Sequence, residues 1–221
     1  PPQSPVPGGP SVQLFLRHAD PPVGLQHPRS INMPKNESGL PADFHSEPTI
    51  STKRIYEGSI INLRVDTVRM PSGNNATREI VEHSHAVCIV PIDDDGNVVL
   101  VRQYRKPAED ALLEVPAGGV EEGEVSEEAV LRELQEEIGY TADHLEHLAS
   151  FWVAPGWATE YMHAYLATGL RASKLQGDED ENIEVVRLPF DEAIAMFKTG
   201  EINDGKTIAA LLLAQPLFTK R

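Results

Sequence analysis

The sequence predicts a globular α/β or α+β fold in which a mixed β-sheet packs against a few helices. Two observations carry this prediction. Short β-rich segments separated by turn residues fill the region from Lys53 to Val115. Beyond it, segments with helical periodicity alternate with further strand-like segments, and no internal repeat is present. Residues 1–50 differ, because they are rich in proline and have no sustained apolar face, and we expect them to form a flexible tail.

The first predicted strands follow one another closely. Apolar and polar residues alternate over 60–68, which indicates a half-buried strand, and a turn cluster at 71–75 leads to a short return strand at 78–82. Acidic and glycine turn residues at 93–97 predict a hairpin between strands at 86–92 and 98–104. Another short strand, at 112–115, ends at a proline- and glycine-rich turn at 116–119.

A helix is predicted over 126–138. Ser126 is a suitable N-cap residue, and Gly139 is suited to end the helix in a left-handed conformation. Leu131, Leu134 and Ile138 form an apolar stripe that we expect to pack on the sheet.

The remaining chain predicts three strands followed by two helices. The strands are expected near 147–153, 160–166 and 183–188. One helix spans about 191–198 and ends at Gly200, and the other runs over about 206–214 and stops before Pro216.

Composition excludes several function classes. The formal net charge of −15 argues against a general nucleic-acid binder, which needs a basic surface. The longest apolar run, 208–214, is far shorter than the roughly 18–20 residues that span a bilayer. The single cysteine, Cys88, lies in an apolar run and is interpreted as a buried core residue, and a reducing, cytoplasmic setting fits this composition.

Three carboxylates lie on one face of the predicted helix. At roughly 100° per residue, Glu133, Glu136 and Glu137 fall within an arc of about 100°, beside the apolar stripe. Taken alone, three such glutamates are more typical of a solvated acidic face. A hard divalent cation such as Mg²⁺ would also bind them, since it prefers carboxylate oxygens.

The residues around the glutamates decide between these readings. Gly118 is followed after five residues by Glu124, and after seven more by the run 132–140, which reads R-E-L-Q-E-E-I-G-Y. This pattern resembles the Nudix box, G-x5-E-x7-R-E-U-x-E-E-x-G-U, where U is a bulky apolar residue. The departure is Tyr140, which is aromatic rather than aliphatic. The resemblance implies a Nudix α/β/α sandwich with a mixed β-sheet, plus a small N-terminal antiparallel sheet.

The resemblance also implies roles for the box residues. Glu133, Glu136 and Glu137, with the carbonyl of Ala117, would bind two or three Mg²⁺ or Mn²⁺ ions. Arg132 and Glu124 would pair with each other and orient a ligand carboxylate. Gly118 would allow a tight backbone beside the substrate.

Features outside the box resemble the ADP-ribose pyrophosphatase branch. Pro155 lies sixteen residues after Gly139, in the segment 154–160, and the segments 78–83, 101–105 and 113–118 also match. By this resemblance Glu160 is the general base, with Glu181 or Glu184 as alternatives. Arg78 and Arg105 would clamp the diphosphate. Trp157 or Tyr104 would stack on the nucleobase of the substrate or shape the pocket.

The resemblance implies hydrolysis of ADP-ribose to AMP and ribose 5-phosphate by a homodimer. Residues 1–50 would be the tail, 51–84 an N-terminal β-subdomain exchanged between subunits, and 85–221 the Nudix hydrolase domain. The alternatives are hydrolysis of GDP-mannose or a UDP-sugar, or a non-catalytic ADP-ribose sensor. No nucleic acid or membrane is expected as a partner.

Overall fold

The computed structural model describes residues 45–176 and 182–218. Of the expected tail over 1–50, only residues 45–50 are among the described residues. The alternative base Glu181 lies outside them. Two compact units are present: residues 45–51 with Thr67–Thr77, and Thr52–Asp66 with the described residues from Arg78 onward. Within the described residues no helix combines the length and the apolar character needed to cross a bilayer.

The N-terminal strands form one three-stranded sheet in the order β1-β2-β3. They are β1 (Thr49–Glu57), β2 (Asn62–Arg69) and β3 (Asn75–Glu82). Strand β1 was not predicted, because all nine of its residues are exposed and its side chains have no apolar alternation. The turn expected at 71–75 is present: Met70 N–H donates to Asn74 O at 2.9 Å, and Gly73 adopts a φ of +86°.

The larger unit contains a four-stranded and a three-stranded sheet. The four-stranded sheet has the order β7-β4-β9-β8 and the other the order β10-β5-β6. The strands are β4 (Ala86–Pro91), β5 (Asn97–Arg105), β6 (Asp110–Glu114), β7 (Ala117–Gly119), β8 (Tyr140–Trp152), β9 (Tyr161–Ala172) and β10 (Ile183–Pro189). Strand β4 pairs in parallel with β9, and the other pairings within these two sheets are antiparallel.

Strand β4 lies at the centre, and all six of its residues are buried. Its side chains alternate between two apolar clusters, with Cys88 and Val90 in one and Val87 and Ile89 in the other. Cys88 is fully buried, which confirms it as a core residue, and this burial raises the pKa of its thiol to about 12. One cluster includes residues of the two C-terminal helices, and the other includes residues of the helical segment 126–138. This layered arrangement confirms the predicted α/β sandwich.

The helices differ from the prediction in detail. They are α1 (Ser126–Glu133), continued by a π-helical turn (Leu134–Ile138), then α2 (Phe190–Thr199) and α3 (Gly205–Phe218). Ser126 is not the N-cap: Val125 occupies that position, and Ser126 Oγ contacts Tyr165 Oη at 2.7 Å. Val130, rather than the half-buried Leu131, fills the core beside the sheet.

Helix α3 continues through Pro216, where the sequence predicted a stop. Proline removes one backbone donor and crowds the carbonyl four residues earlier. Here Pro216 lies in the last turn of α3, so the loss of one backbone hydrogen bond affects only the end of the helix. The buried residues Ala210, Leu211 and Ala214 hold the preceding turns against the core.

Candidate active site

A cleft of about 560 Å³ opens in the larger unit, next to the turn between β6 and β7. Strands β4, β7, β8 and β9 contribute to its wall, together with the segment that begins α3. Its lining residues are His83, Ala86, Arg105, Ala117, Gly118, Gly119, Phe151, Trp152, Val153, Glu160, Met162, Asp204, Gly205 and Lys206.

Arg132 lies at the centre of a hydrogen-bond network beside this wall. Its guanidinium donates to both carboxylate oxygens of Glu124, at 3.0 and 3.1 Å, and to Gly119 O at 2.8 Å. Its Nη1 donates to Glu133 at 2.7 Å and to Glu136 at 3.1 Å. The bond to Glu124 is the largest cause that raises the pKa of Arg132, and the bond from Arg132 is the largest that lowers the pKa of Glu124. The predicted pairing of these two residues is therefore present.

Glu133 and Glu137 are both buried carboxylates directed at strand β7. Their residues are 8% and 7% exposed, although charged residues are seldom buried without partners. Ala117 N–H donates to Glu137 Oε2 at 3.1 Å. A Cβ at Gly118 would collide with the Glu133 carboxylate, so any other residue here would have to displace that carboxylate. The end of the helix and the short strand thus form one continuous wall.

The π-helical turn sets the positions of these carboxylates. Gly139 N–H donates to Leu134 O, five residues earlier, and Gly139 adopts a φ of +74°. A π turn contains an extra residue compared with an α-helical turn, so the arc of about 100° expected for a regular α-helix does not apply here. Such turns occur frequently at functional sites. The apolar residues Leu134 and Ile138 remain buried, which anchors the turn.

Within the described ranges, no three or more His, Cys, Asp or Glu side chains are grouped so that they could hold a metal ion as they stand. The carboxylates of Glu133 and Glu136 instead share the guanidinium of Arg132. The donor set nevertheless fits a hard divalent cation, because carboxylate oxygens are its preferred ligands and two of these carboxylates are largely withdrawn from water. The residues that would hold it are Glu133, Glu136 and Glu137.

Glu160 lines the cleft at the end of a loop that connects β8 to β9. The loop is closed by Val153 N–H, which donates to Glu160 O at 3.2 Å. Strand β3 holds its other side: Val81 N–H donates to Trp157 O at 2.8 Å, and Thr159 N–H donates to Val81 O at 2.9 Å. These backbone bonds fix the position of the Glu160 backbone at the cleft.

Glu114 joins two cations that line the cleft, Arg105 and Lys206. Arg105 donates to both of its carboxylate oxygens, from Nε at 2.9 Å and from Nη2 at 2.8 Å, and Lys206 Nζ donates to Oε2. Glu114 is 1% exposed. The bond to Glu114 is the largest cause that raises the pKa of Arg105. Arg105, predicted as a clamp, is therefore held at the cleft by an ion pair.

Asp204 caps the first turn of α3 beside these residues. Its Oδ2 accepts from Thr207 N–H at 3.0 Å, Thr207 Oγ1 at 2.6 Å and Lys206 Nζ at 3.0 Å. Burial alone would raise the pKa of Asp204, but Lys206 and Thr207 together hold that pKa below its ordinary value. Thr207 Oγ1 in turn accepts from Val115 N–H at 3.0 Å, which ties the helix to the end of β6.

Other predicted residues lie away from the lining. Trp157 is 59% exposed and Arg78 lies on β3, and neither lines the cleft. Glu184, the alternative base, pairs with Arg102 on the surface of the other sheet.

Sequence reasoning missed Trp152, Glu114 and Lys206 as site residues. The signal for Glu114 was present, because it lies within the segment 113–118 that resembles the ADP-ribose pyrophosphatase branch. Its contact with Lys206 joins residues 92 positions apart, and no local pattern reveals it.

Two family models match the chain and together cover the described core. The NUDIX domain model matches residues 82–211, and the model described as the nucleoside diphosphate sugar hydrolase N-terminal domain matches residues 47–81.

Named relatives extend over most of the chain. It is 42% identical over 171 residues to the methanol dehydrogenase activator of Bacillus methanolicus, covering 76% of this chain and 92% of that protein. It is 40% identical over 171 residues to the ADP-ribose pyrophosphatase of Bacillus subtilis, with the same coverage of both chains. It is 37% identical over 147 residues to a GDP-mannose pyrophosphatase of Yersinia enterocolitica, covering 62% of this chain and 77% of that one.

The fold also matches a solved structure. The crystal structure described as that of an ADP compounds hydrolase superposes with a TM-score of 0.72 at 26% sequence identity, covering 78% of this chain and 94% of that chain. Nudix hydrolases generally need divalent metal ions, which agrees with the carboxylates of Glu133, Glu136 and Glu137 beside the cleft. From the domain match over 82–211 and the geometry of the box residues, the chain belongs to the Nudix hydrolase family.

Proposed function

We propose that this protein hydrolyses the diphosphate bond of ADP-ribose, giving AMP and ribose 5-phosphate. The observation that carries the proposal is the Arg132-centred carboxylate network at the wall of a cleft, in a chain 40% identical to an ADP-ribose pyrophosphatase. Water adds to one phosphorus and the bridging oxygen leaves with the other phosphate. The reaction therefore needs a proton acceptor, a means to neutralise phosphate charge, and a rigid wall to orient both.

Glu160 is the proposed proton acceptor. It lines the cleft from the loop that Val81 and Val153 hold in place. A carboxylate outside the cation-binding wall can accept a proton from the attacking water without losing a metal ligand.

Glu133, Glu136 and Glu137, with the carbonyl of Ala117, are the proposed ligands of two or three Mg²⁺ or Mn²⁺ ions. When bound, a divalent cation neutralises charge on the diphosphate and lowers the pKa of coordinated water. Arg132 then serves to orient these carboxylates, and Glu124 serves to hold Arg132, because its two oxygens fix the plane of the guanidinium.

Arg105 is proposed to contact the diphosphate from the cleft wall. Arg78 and Trp157 do not line the cleft themselves, but β3 and the β8–β9 loop that carry them lead into its lining residues His83 and Glu160, and both are proposed as further substrate contacts. Gly118 is proposed as the residue that lets the backbone approach the substrate.

We propose a cytoplasmic homodimer in which 51–84 forms an N-terminal β-subdomain and 85–221 the Nudix domain. The exposed apolar residues Ile55, Tyr56 and Ile60 on and after β1 support a partner surface there.

A second candidate is hydrolysis of GDP-mannose or another nucleoside diphosphate sugar. The similarity to GDP-mannose pyrophosphatases favours it, and both reactions use the same wall. A phosphatase-coupled phosphate-release screen over ADP-ribose, GDP-mannose and UDP-glucose with Mg²⁺ distinguishes them. We expect the highest kcat/KM for ADP-ribose; activity confined to the GDP- or UDP-sugar would transfer the assignment to the second candidate.

A further inference from the structure

The cleft has few positive charges with which to receive an anionic substrate. Among the described residues that line it, Arg105 and Lys206 are the Arg and Lys side chains, while Glu160 and Asp204 are acidic. The whole chain has a formal charge of −15, so long-range attraction cannot supply the deficit. A diphosphate must therefore be neutralised by cations placed locally in the cleft.

Lys206 is held at that position by two carboxylates. Its ammonium donates to Glu114 Oε2 and, at 3.0 Å, to Asp204 Oδ2. These bonds use two of its three N–H donors and leave one for a ligand. Its side chain is 15% exposed and lines the cleft, so its charge is largely withdrawn from bulk water.

Arg105 is presented in a similar way. Its Nε and Nη2 donate to Glu114, and these two bonds use two of the five guanidinium donors. Glu114 thus holds both cations on one buried carboxylate. Arg105 alone already matches the charge of Glu114, and buried charges add little to stability compared with apolar side chains of the same volume. A second, half-buried ion pair with Asp204 therefore calls for a reason other than stability.

We infer that Lys206 binds the diphosphate of the substrate beside Arg105, and that Glu114 is the positioning residue that fixes both cations. This inference rests on the proposed function, since it assigns the diphosphate as the ligand. The phosphate oxygens accept the remaining ammonium hydrogen and the outer guanidinium hydrogens. These are charge-assisted hydrogen bonds in a partly desolvated cleft, which are roughly twice as strong as neutral ones.

The test is Lys206→Gln, which keeps the length of the side chain and removes its charge. On whichever nucleoside diphosphate compound the wild-type protein cleaves best, KM rises at least about tenfold and kcat changes less than about threefold, as expected for a lost charged hydrogen bond. Lys206→Arg restores most of the affinity. The matched control is Lys106→Gln, because Lys106 is 78% exposed, pairs with Glu109 and does not line the cleft.

A second variant covers the case in which Lys206→Gln leaves Asp204 and Glu114 without a partner and does not fold. Lys206→Met combined with Asp204→Asn removes both partners of the Lys206–Asp204 ion pair, and its control is Lys106→Met combined with Glu109→Gln, which removes an exposed ion pair outside the cleft lining. The folded Lys206 double variant shows the same rise in KM while the control double variant does not. A folded Lys206 variant with KM within twofold of wild type and only a lowered melting temperature would assign Lys206 a purely structural role and overturn the inference.

Inorganic pyrophosphate separates this inference from the proposed function. If the wild-type protein cleaves none of the compounds, the proposed function fails, and calorimetric titration with pyrophosphate still measures the anion site. The inference predicts binding to the wild type that is at least about tenfold weaker in the Lys206 variants. Equal binding by the wild type and the variants, or none by either, would refute it.

Discussion

Gly118 lies so close to Glu133 that a single added methyl group would occupy the space of the carboxylate. The neighbouring Gly119 has no such constraint, because a Cβ there would meet only Ser84 Oγ at 3.6 Å. The two glycines therefore form a matched pair with which the geometry of the wall can be tested.

Gly118→Ala is expected to lower kcat/KM at least about tenfold, because the added methyl displaces the Glu133 carboxylate and so moves a proposed metal ligand. Gly119→Ala should remain within about twofold of wild type. Steady-state kinetics with saturating Mg²⁺ measures both. If Gly118→Ala and Gly119→Ala both kept kcat/KM within about twofold of wild type, activity would not depend on the present position of the Glu133 carboxylate.

Glu133→Gln is expected to reduce turnover at saturating Mg²⁺ by at least about 100-fold, since a neutral amide is a poor ligand for a hard cation. A titration of activity against Mg²⁺ concentration measures the loss and any shift in metal affinity. The control is Glu109→Gln, whose side chain is exposed and pairs with Lys106. Turnover near the wild-type rate in the Glu133 variant would contradict the metal-binding role.

Glu160→Gln is expected to lower kcat by about 10²–10⁴-fold, the usual contribution of a general base. Glu184→Gln should have little effect, because Glu184 is exposed and paired with Arg102. The measurement is kcat with Mg²⁺ and substrate both saturating. If the Glu184 variant is the impaired one, the base has been assigned to the wrong loop.

Glu114→Gln is expected to lower the free energy of unfolding by about 3–5 kcal/mol, because it leaves Arg105 and Lys206 without their shared carboxylate. Urea denaturation followed by circular dichroism measures this change. A loss below about 1 kcal/mol would mean that water replaces Glu114 at both cations.

Asp204→Asn tests the cap of α3 through the pH dependence of stability. The folded-state pKa of Asp204 is held below its ordinary value of 3.8, so its carboxylate stabilises the fold above that pH. This stabilisation is lost as the pH falls through the lower, folded-state pKa. The stability difference between wild type and variant should therefore be constant at neutral pH and shrink below about pH 4, as measured by urea denaturation at a series of pH values. A difference that does not depend on pH would contradict the ionised cap.

Most of the fold could be predicted because its signals are local. The turn at 93–97 and the left-handed Gly139 follow from turn residues whose conformational preferences act over a few positions. The hairpin expected around that turn was wrong, because β4 and β5 lie in different sheets and meet at the isolated bridge between Ile92 and Val98. Strand β1 could not be predicted, because none of its residues is buried and nothing in its pattern marks an inner face.

The candidate site divides in the same way. The pairing of Arg132 with Glu124 follows from fixed spacing within one loop and helix. The π-helical turn depends on how Leu134 and Ile138 pack, and the junction of Glu114 with Lys206 depends on the contact between β6 and α3. Both are consequences of tertiary packing, which a local sequence pattern does not encode.

The most direct measurement is phosphorus NMR of ADP-ribose incubated with the wild-type protein and Mg²⁺. We predict that the diphosphate resonances are replaced by those of two phosphomonoesters, AMP and ribose 5-phosphate, and that EDTA prevents the change. Diphosphate resonances that persist with either Mg²⁺ or Mn²⁺ would contradict the proposed reaction.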